Sequence, residues 1–410
     1  MCESPRFLQE RNFRLNPLQQ SHTPQVTHPF SDFIDIATER LGGKALLASD
    51  DFFAAKENML KAKEAIFIPD KYTTNGKWMD GWESRRKRTP GHDWCIVQLG
   101  MMGKLKGVNV NTAFFVGNNP ESFSLEAARL SKKPTKESLL KNKIEWKEII
   151  SKSTLKGGSD NFYDIESNEP WTHLRLNIFP DGGVARFRVY GEVTPDWEKL
   201  KKSKTSIDLV GIANGGKVVT CNDMFFGSKD NLIFPERALV MGDGWETRRK
   251  RVSGYDWIVV RMGHTGKIEK IEIDTNHFKG NFPESCTLEG LSHPKRDLTP
   301  SDIQERISLN WQEILPRTKL KAHFRHFYTK ELSKIIKNTS FDYIRMNIFP
   351  DGGISRLRVF GKATLISRFY YLSLTNLPNV KQKRAYFFVV VQMNGLIRYS
   401  NSGPMPPSAV

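Results

Sequence analysis

The sequence predicts an all-β-dominated protein made of two tandem jelly-roll β-sandwich domains, each with a short helix. Three observations predict this. First, one paragraph of sequence is written twice. Gly81-Trp82-Glu83-Ser84-Arg85-Arg86-Lys87-Arg88 returns as Gly244-Trp245-Glu246-Thr247-Arg248-Arg249-Lys250-Arg251, and Arg175-Leu176-Asn177-Ile178-Phe179-Pro180-Asp181-Gly182-Gly183 returns as Arg345-Met346-Asn347-Ile348-Phe349-Pro350-Asp351-Gly352-Gly353. The period is far longer than the roughly 20–50 residues of solenoid and propeller repeats, so the repeating unit is a domain. Second, most of each copy reads as short β-branched runs bounded by glycines. Third, each copy carries one helix signal, and many short strands with a single helix suit a jelly roll.

The elements follow in order. Residues 1–28 are polar and patternless, the composition of a disordered segment. Ser31 is placed to cap a short helix carrying Phe33, Ile34, Ala37 and Leu41, stopped by Gly42-Gly43. Repeat one spans 44–193, a charged linker 194–216, and repeat two 217–363. Cys95-Ile96-Val97-Gln98-Leu99 and Ile258-Val259-Val260-Arg261-Met262 read as strands, with further strands at 106–115 and 270–278 after glycine turns. A helix is expected from Thr135 through Leu139, Leu140, Ile144 and Ile149. Its partner opens at Thr299-Pro300-Ser301-Asp302, with a cap, a proline at the first helical position and an acid at the third. The tail, 364–410, has no counterpart in repeat one and contains the aromatic and β-branched run 386–391.

Composition narrows the function. The net charge is +17, but the excess is scattered, and five of the cations lie in the acid-free tail: Arg368, Lys381, Lys383, Arg384 and Arg398. That pattern gives no concentrated basic face for nucleic acid. The four cysteines form no CxxC pair, which fits a reducing, intracellular setting. No apolar run is long enough for a secretory core or a bilayer span. We therefore expect a soluble protein of the cytoplasm, or else of peroxisomes or mitochondria, with a small-molecule substrate, no nucleic-acid or membrane partner, and a homo-oligomeric state. HExxH, Cys/His clusters, GxSxG, P-loops and dinucleotide fingerprints are all absent, so neither metal nor cofactor is expected.

Candidate site residues come from the Pro-Asp-Gly-Gly turns. Read as a four-residue hairpin loop, each turn places Leu174, Leu176 and Ile178 opposite Val189, Phe187 and Ala185 on a core face. The other face then pairs Arg175 with Arg188 and Asn177 with Arg186, reproduced as Arg345 with Arg358 and Asn347 with Arg356. Like charges directly opposite are unfavourable. Either a structural carboxylate, from Glu83 or Asp93 or their counterparts, or a bound anionic substrate should lie over them. Glu83 and Glu246 are the only acids within their basic runs, and pairing would keep them ionised. Three histidines distinguish the copies: His92 faces Tyr255, His173 faces Tyr343, and Phe114 faces His277. His323 and His326 stand in His-x-x-His spacing, too weak a signal for a metal site. Substitution of His173 is expected to cost more activity than that of His326, read here as a surface histidine.

Longer motifs extend this reading. Asp50-Asp51-Phe52-Phe53-Ala54, Trp78-Met79-Asp80-Gly81-Trp82-Glu83, Pro90-Gly91-His92-Asp93-Trp94, Asn111-Thr112-Ala113-Phe114-Phe115-x-Gly117-Asn118, Asp274-Thr275-Asn276-His277-Phe278-x-Gly280-Asn281 and both Phe-Pro-Asp-Gly-Gly turns resemble the allantoicase family. The resemblance runs from about Phe30 to Ala363. It implies two jelly-roll repeats like the galactose-binding domains, and hydrolysis of allantoate to ureidoglycolate and urea in purine degradation, with no cofactor. The arginines and asparagines of the turn faces (Arg175, Asn177, Arg186, Arg188, Arg345, Asn347, Arg356 and Arg358) would then hold the substrate. Asp50, Glu83, His92, Asp93, His173, Glu246, Asp256 and His277 are the acid–base candidates. Repeat two departs from the family's Thr-His-x-Arg-Leu stretch, which repeat one keeps at Thr172-His173-Leu174-Arg175-Leu176; Asp342-Tyr343-Ile344-Arg345-Met346 replaces it. The alternatives are an inactive homologue and a small-anion or carbohydrate-binding jelly-roll protein.

Overall fold

A computed structural model describes residues 28–364 except 133, 141–142, 295–296 and 306–308, together with the backbone of two short strands in the tail. The expected disordered segment 1–28 lies outside the described residues but for His28, as does most of the tail. In repeat one, besides a two-residue hairpin at Tyr72–Thr73 and Gly76–Lys77, the strands are β1 (Ile34–Asp35), β2 (Lys44–Ala48), β3 (Trp82–Glu83), β4 (Asp93–Asn111), β5 (Ser122–Ala128), β6 (Lys147–Thr154), β7 (Phe162–Asp164), β8 (Pro170–Phe179), β9 (Gly183–Val184) and β10 (Arg186–Val193). Repeat two answers with β11 (Ile207–Asp208), β12 (Lys217–Cys221), β13 (Trp245–Glu246), β14 (Asp256–Asp274), β15 (Ser285–Leu291), β16 (Gln312–Lys319), β17 (Arg325–Tyr328), β18 (Phe341–Phe349), β19 (Gly353–Ile354) and β20 (Arg356–Ala363). The tail strands are β21 (Phe388–Val391) and β22 (Ile397–Ser400), which pair antiparallel.

The long central strand organises each copy. The first half of β4 pairs with β2 and β8, and its second half pairs with β10 and β7. β8 continues to β5, and β5 to β6, while β10 takes β1 at its outer edge. One strand thus runs through both layers of an antiparallel sandwich, and β14 does the same in repeat two. The two separate strands expected on either side of the glycines are in fact one. Gly100 makes no turn: a Cβ there would lie 2.4 Å from the Leu41 carbonyl oxygen, so the glycine permits a close backbone approach where the strand bends.

Alternation fills the interior as expected. Leu174, Leu176, Ile178, Phe187 and Val189 are all fully buried, with Cys95, Val97, Phe123 and Leu125 across from them. Repeat two has an equivalent core, which also takes in Leu41 of repeat one. Arg40, next to it, donates to Asn231 (3.2 Å), lies 3.7 Å from Asp243 and stacks over Phe234. The turn before β2 therefore docks one copy onto the other.

Three expectations are corrected. The helix after Thr135 is only α1 (Lys136–Leu140), and its counterpart is α3 (Pro300–Glu305); the segments holding Ile149 and Glu313 are the edge strands β6 and β16. Pairing with β5 and β15 overrides the helical spacing. Linker residues Trp197–Lys201 form α2. The stretch after Ser31 is not a helix but β1 followed by a 3-10 turn at Glu39–Leu41, which does end at Gly42, in the left-handed region with φ 92°.

The third correction concerns the arginine turns. β8 and β10 never pair with each other; each pairs with β4, on a different half. Pro180-Asp181-Gly182-Gly183 is a corner between layers, from which β9 reaches across to β3. Arg175 and Arg188 therefore do not oppose one another. Arg175 stands opposite Glu126, and Arg345 opposite Glu289. Among the described residues no helix is long and apolar enough to cross a membrane.

Candidate active site

One end of each sandwich carries the same polar arrangement, built outward from β3 and β13. Trp82 and Trp245 are fully buried, and each indole N–H donates over 2.8 Å to a backbone carbonyl, of Asp50 or Asp223. Ser84 and Thr247 are buried too, binding the glycines of the corner loops. Strand alternation then turns Glu83 and Arg85, and Glu246 and Arg248, to the opposite side.

The arginines are locked. The Asp50 carboxylate accepts the backbone N–H of Arg85 (2.9 Å) and its Nε–H (2.8 Å); Asp223 does the same for Arg248 at 2.9 and 2.7 Å. Each guanidinium also lies over a phenylalanine, Phe52 at 5.0 Å or Phe225 at 5.2 Å. Burial pushes both aspartates upward, but the arginine donors outweigh it and hold their carboxyls below the ordinary value. The arginine side chains remain 62% and 65% exposed, so each presents a fixed guanidinium to solvent.

The glutamates are the reverse case. Glu83 accepts from the Asn118 amide at 2.9 Å, and Glu246 from that of Asn281. Burial raises both carboxyls above the ordinary value, and the amide offsets this only in part. The corner loop closes against this strand because Gly183, which pairs with Glu83, has no side chain: a Cβ would lie 1.9 Å from the Phe115 ring. A carboxylate partly withdrawn from water, with a neutral amide as its partner, is expensive to keep. It is a form suited to proton transfer.

The remaining expected residues fall elsewhere. Asp93 and Asp256 are buried pins: Asp93 pairs with Lys87 at 2.7 Å and the Ser49 hydroxyl at 2.9 Å, Asp256 with Lys250 and the Asn222 amide, each at 2.8 Å. Arg186 and Arg356 have almost no exposure and donate mainly to backbone carbonyls of their own repeats, 58–80 and 236–243. Arg188 and Arg358 likewise reach Lys61 and Pro235 carbonyls, besides Asp35 and Asp208 at 3.4 Å. Their donors hold the chain together.

Arg175 and Asn177 occupy the outer face of the sheet, both donating to Glu126, as Arg345 and Asn347 do to Glu289. With His92, Trp94, Glu148, Leu139 and Phe179 they line a cavity of about 430 Å³ under α1. His326 is buried rather than superficial. Its Nδ1 bonds the Ile273 carbonyl and its Nε2 accepts the Lys321 N–H, so its loss would loosen a loop. Among the described residues no group of three or more His, Cys, Asp or Glu side chains is placed to hold a metal.

His173 sits in the same row as Arg175 and is 4% exposed, with Nδ1 against the Thr172 hydroxyl and Nε2 without a partner. Burial lowers it to about 4. An unfolded histidine takes a proton near 6.5, so the folded state binds fewer protons between those values. Stability should be intact above about pH 6.5 and fall as the pH drops toward 4, by up to about 3 kcal/mol. Guanidinium unfolding at pH 7 and pH 5 tests this. The pH slope should shrink in His173→Gln; an unchanged slope would assign it to other groups.

The sequence reading missed the partners. Glu126 and Glu289 carry a signal it did not use: Ser122-Phe123-Ser124-Leu125-Glu126 recurs as Ser285-Cys286-Thr287-Leu288-Glu289. Arg85 and Arg248 were visible only as members of basic runs, since their aspartates lie 35 and 25 residues away.

Comparison with known proteins accords with this doubled architecture. The family profile described as "Allantoicase repeat" matches residues 34–194 and 207–364. A probable allantoicase of Pseudomonas syringae pv. tomato is 45% identical over 336 residues, 82% of this chain and 98% of that protein. One of Pseudomonas aeruginosa is 43% identical over 337 residues, with the same coverage. Among solved structures, the allantoicase of Saccharomyces cerevisiae matches with a TM-score of 0.65 at 32% identity, over 80% of this chain and 92% of that one. Two matched repeats in tandem, and relatives aligned over nearly their whole length, place this chain in the allantoicase family.

Proposed function

We propose that the protein hydrolyses allantoate to ureidoglycolate and urea at the end of the sandwich where the arginine and glutamate stand on one side of the strand. The observation that carries this placement is the pairing, in each repeat, of an immobilised, exposed guanidinium with a carboxylate two residues away that is buried in repeat two and partly buried in repeat one. Allantoate offers a carboxylate and two ureido arms on one carbon. Arg248 holds the carboxylate through the guanidinium edge that Asp223 leaves open, a charge-assisted contact. Glu246 accepts the proton of a water whose oxygen bonds to the central carbon. The carbon–nitrogen bond breaks, and the departing nitrogen takes a proton to leave as urea. Asn281 orients Glu246 and offers polar contact to a ureido arm. Asp50, Arg85, Glu83 and Asn118 form the corresponding group of repeat one.

The test is urea release from allantoate by the purified full chain, followed across substrate concentrations. Wild type should release one urea per allantoate consumed. Arg248→Lys keeps the charge but not the fork and loses the Asp223 register. It should raise KM about 10- to 100-fold, the worth of a hydrogen bond to a charged group. No urea release by folded wild-type protein would overturn the assignment. An unaltered KM in Arg248→Lys would move the carboxylate site elsewhere, with the Arg175 cavity the next place to look.

A further inference from the structure

The two copies share the clamp but differ beside it. Thr112 and Thr275 anchor the loops of the two repeats in the same way, each hydroxyl reaching the carbonyls of Lys156 and Ser159 or of Lys321 and Phe324. This registers Gly158, whose N–H donates to the Phe115 carbonyl, with His323, whose N–H donates to the Phe278 carbonyl. It also registers Phe114 with His277. All four have positive φ: 67° for Phe114, 69° for His277, 65° for Gly158 and 48° for His323. The backbone is thus the same, while the side chains are not. Non-glycine residues in this region cost energy and cluster where the chain is held for a purpose.

In repeat two the histidines are arranged for proton transfer. The Ala238 carbonyl lies 3.0 Å from His277 Nε2, so that nitrogen carries a proton and Nδ1 is the exchanging one. The His277 backbone N–H donates to His323 Nδ1 at 2.8 Å, which orients the second ring, 5.7 Å from the first. Ala238 and Met241 belong to one short loop, and Met241 Sδ touches the Asn281 amide that binds Glu246. His277 and the Asn281 that holds Glu246 therefore touch the same loop. Repeat one has no histidine in either place. Phe114 instead stacks on Phe67 at 5.7 Å, with Lys77 above that ring at 4.9 Å. Yet Asp50–Arg85 and Glu83–Asn118 are kept at full geometry.

We infer that the copies divide the work: repeat two hydrolyses allantoate, with His277 donating the proton to the departing urea nitrogen, and repeat one binds the same ureido-carboxylate without turning it over. This rests on the clamp being the allantoate site. As an imidazolium, His277 gives its Nδ1 proton to the leaving nitrogen while Glu246 takes one from water, and proton exchange between the two through solvent resets both. In repeat one the guanidinium, glutamate and amide can hold a ligand, but the donor is a phenyl ring.

Two measurements on the full chain decide it. The first is calorimetric titration of allantoate into Glu246→Gln, chosen because it should not consume the ligand. Two equivalents should bind per chain, falling to one when Arg85→Ala is added. The second compares turnover. His277→Ala should lower kcat at least about 100-fold, the scale of a general acid, and His277→Gln should not restore it. Glu83→Gln should lower kcat far less than Glu246→Gln does. A single equivalent in Glu246→Gln that persists with Arg85→Ala would overturn the second site. Equal kcat losses in Glu83→Gln and Glu246→Gln would show both copies in the chemistry, overturning the division while leaving the activity assignment standing. If wild type binds but releases no urea, the activity assignment fails and this inference with it. Thermal unfolding of each variant separates these results from misfolding.

Discussion

Glu246→Gln should reduce urea release from allantoate about 10²- to 10⁴-fold in kcat, with KM changed far less. The magnitude is that of a positioned general base. The logic lies in what glutamine keeps. Its side-chain oxygen still accepts from the Asn281 amide, and its size still fits the strand beside Trp245, so the clamp should stay assembled. Only the ability to take a proton is lost. Because burial holds the Glu246 carboxyl above its ordinary value, the acid limb of the wild-type profile has a direction as well. The base must be ionised, so kcat/KM should fall as the pH drops through a value higher than that of an exposed glutamate. The neutral amide also removes a charge that is costly to bury, so the variant should be no less stable than wild type. A kcat within about threefold of wild type in the folded variant would remove Glu246 from the chemistry.

What could be read in the sequence was whatever depends on neighbours along the chain. Domain-length duplication, the period-two burial of Leu174, Leu176 and Ile178, and the glycine stop at Gly42 are all local statements, and they hold in three dimensions. The arginine corner shows the limit. Pro-Asp-Gly-Gly announces a turn whichever strands it joins, and nothing nearby tells a hairpin from a step between layers. The step occurs because β4 is long enough to serve both sheets, and that length was hidden by glycines that look like turns. Once β8 and β10 lie on different halves of β4, the supposed repulsion between Arg175 and Arg188 vanishes, and each arginine finds its own acid. The candidate site behaved the same way. Glu83, Glu246 and His277 were legible because they break a pattern, as acids in basic runs or as a histidine facing a phenylalanine. Asp50 bound to Arg85 was not legible as a clamp, because only folding brings these two residues together.

Arg186→Met should be the most damaging single change for the fold of repeat one, lowering its stability by about 3–5 kcal/mol, the usual cost of breaking a buried ionic network from one side. Arg186 is 1% exposed, and its fork binds the carbonyls of Lys63, Glu64, Asp80 and Ala185 and the carboxylate of Asp80, the last at 2.7 Å. All but the Ala185 carbonyl belong to the segment that leads into β3, so one side chain stitches that loop to β10 and places Glu83. Methionine fills much of the space and satisfies none of the oxygens. Asp80 would keep Lys61 at 2.8 Å and the Ile66 N–H at 3.2 Å, but would lose its buried partner. Guanidinium unfolding is the suitable measurement, because urea is the expected product of the reaction. Apart from Leu41, which packs into the core of repeat two, each copy has its own core, so the loss should fall mainly on repeat one, with Arg356→Met acting on the other. Adding Asp80→Asn to Arg186→Met should cost less than Asp80→Asn alone, since contacting residues are not additive. Full additivity, or a midpoint near that of wild type, would mean that water satisfies the carbonyls and that the guanidinium is not what holds this loop.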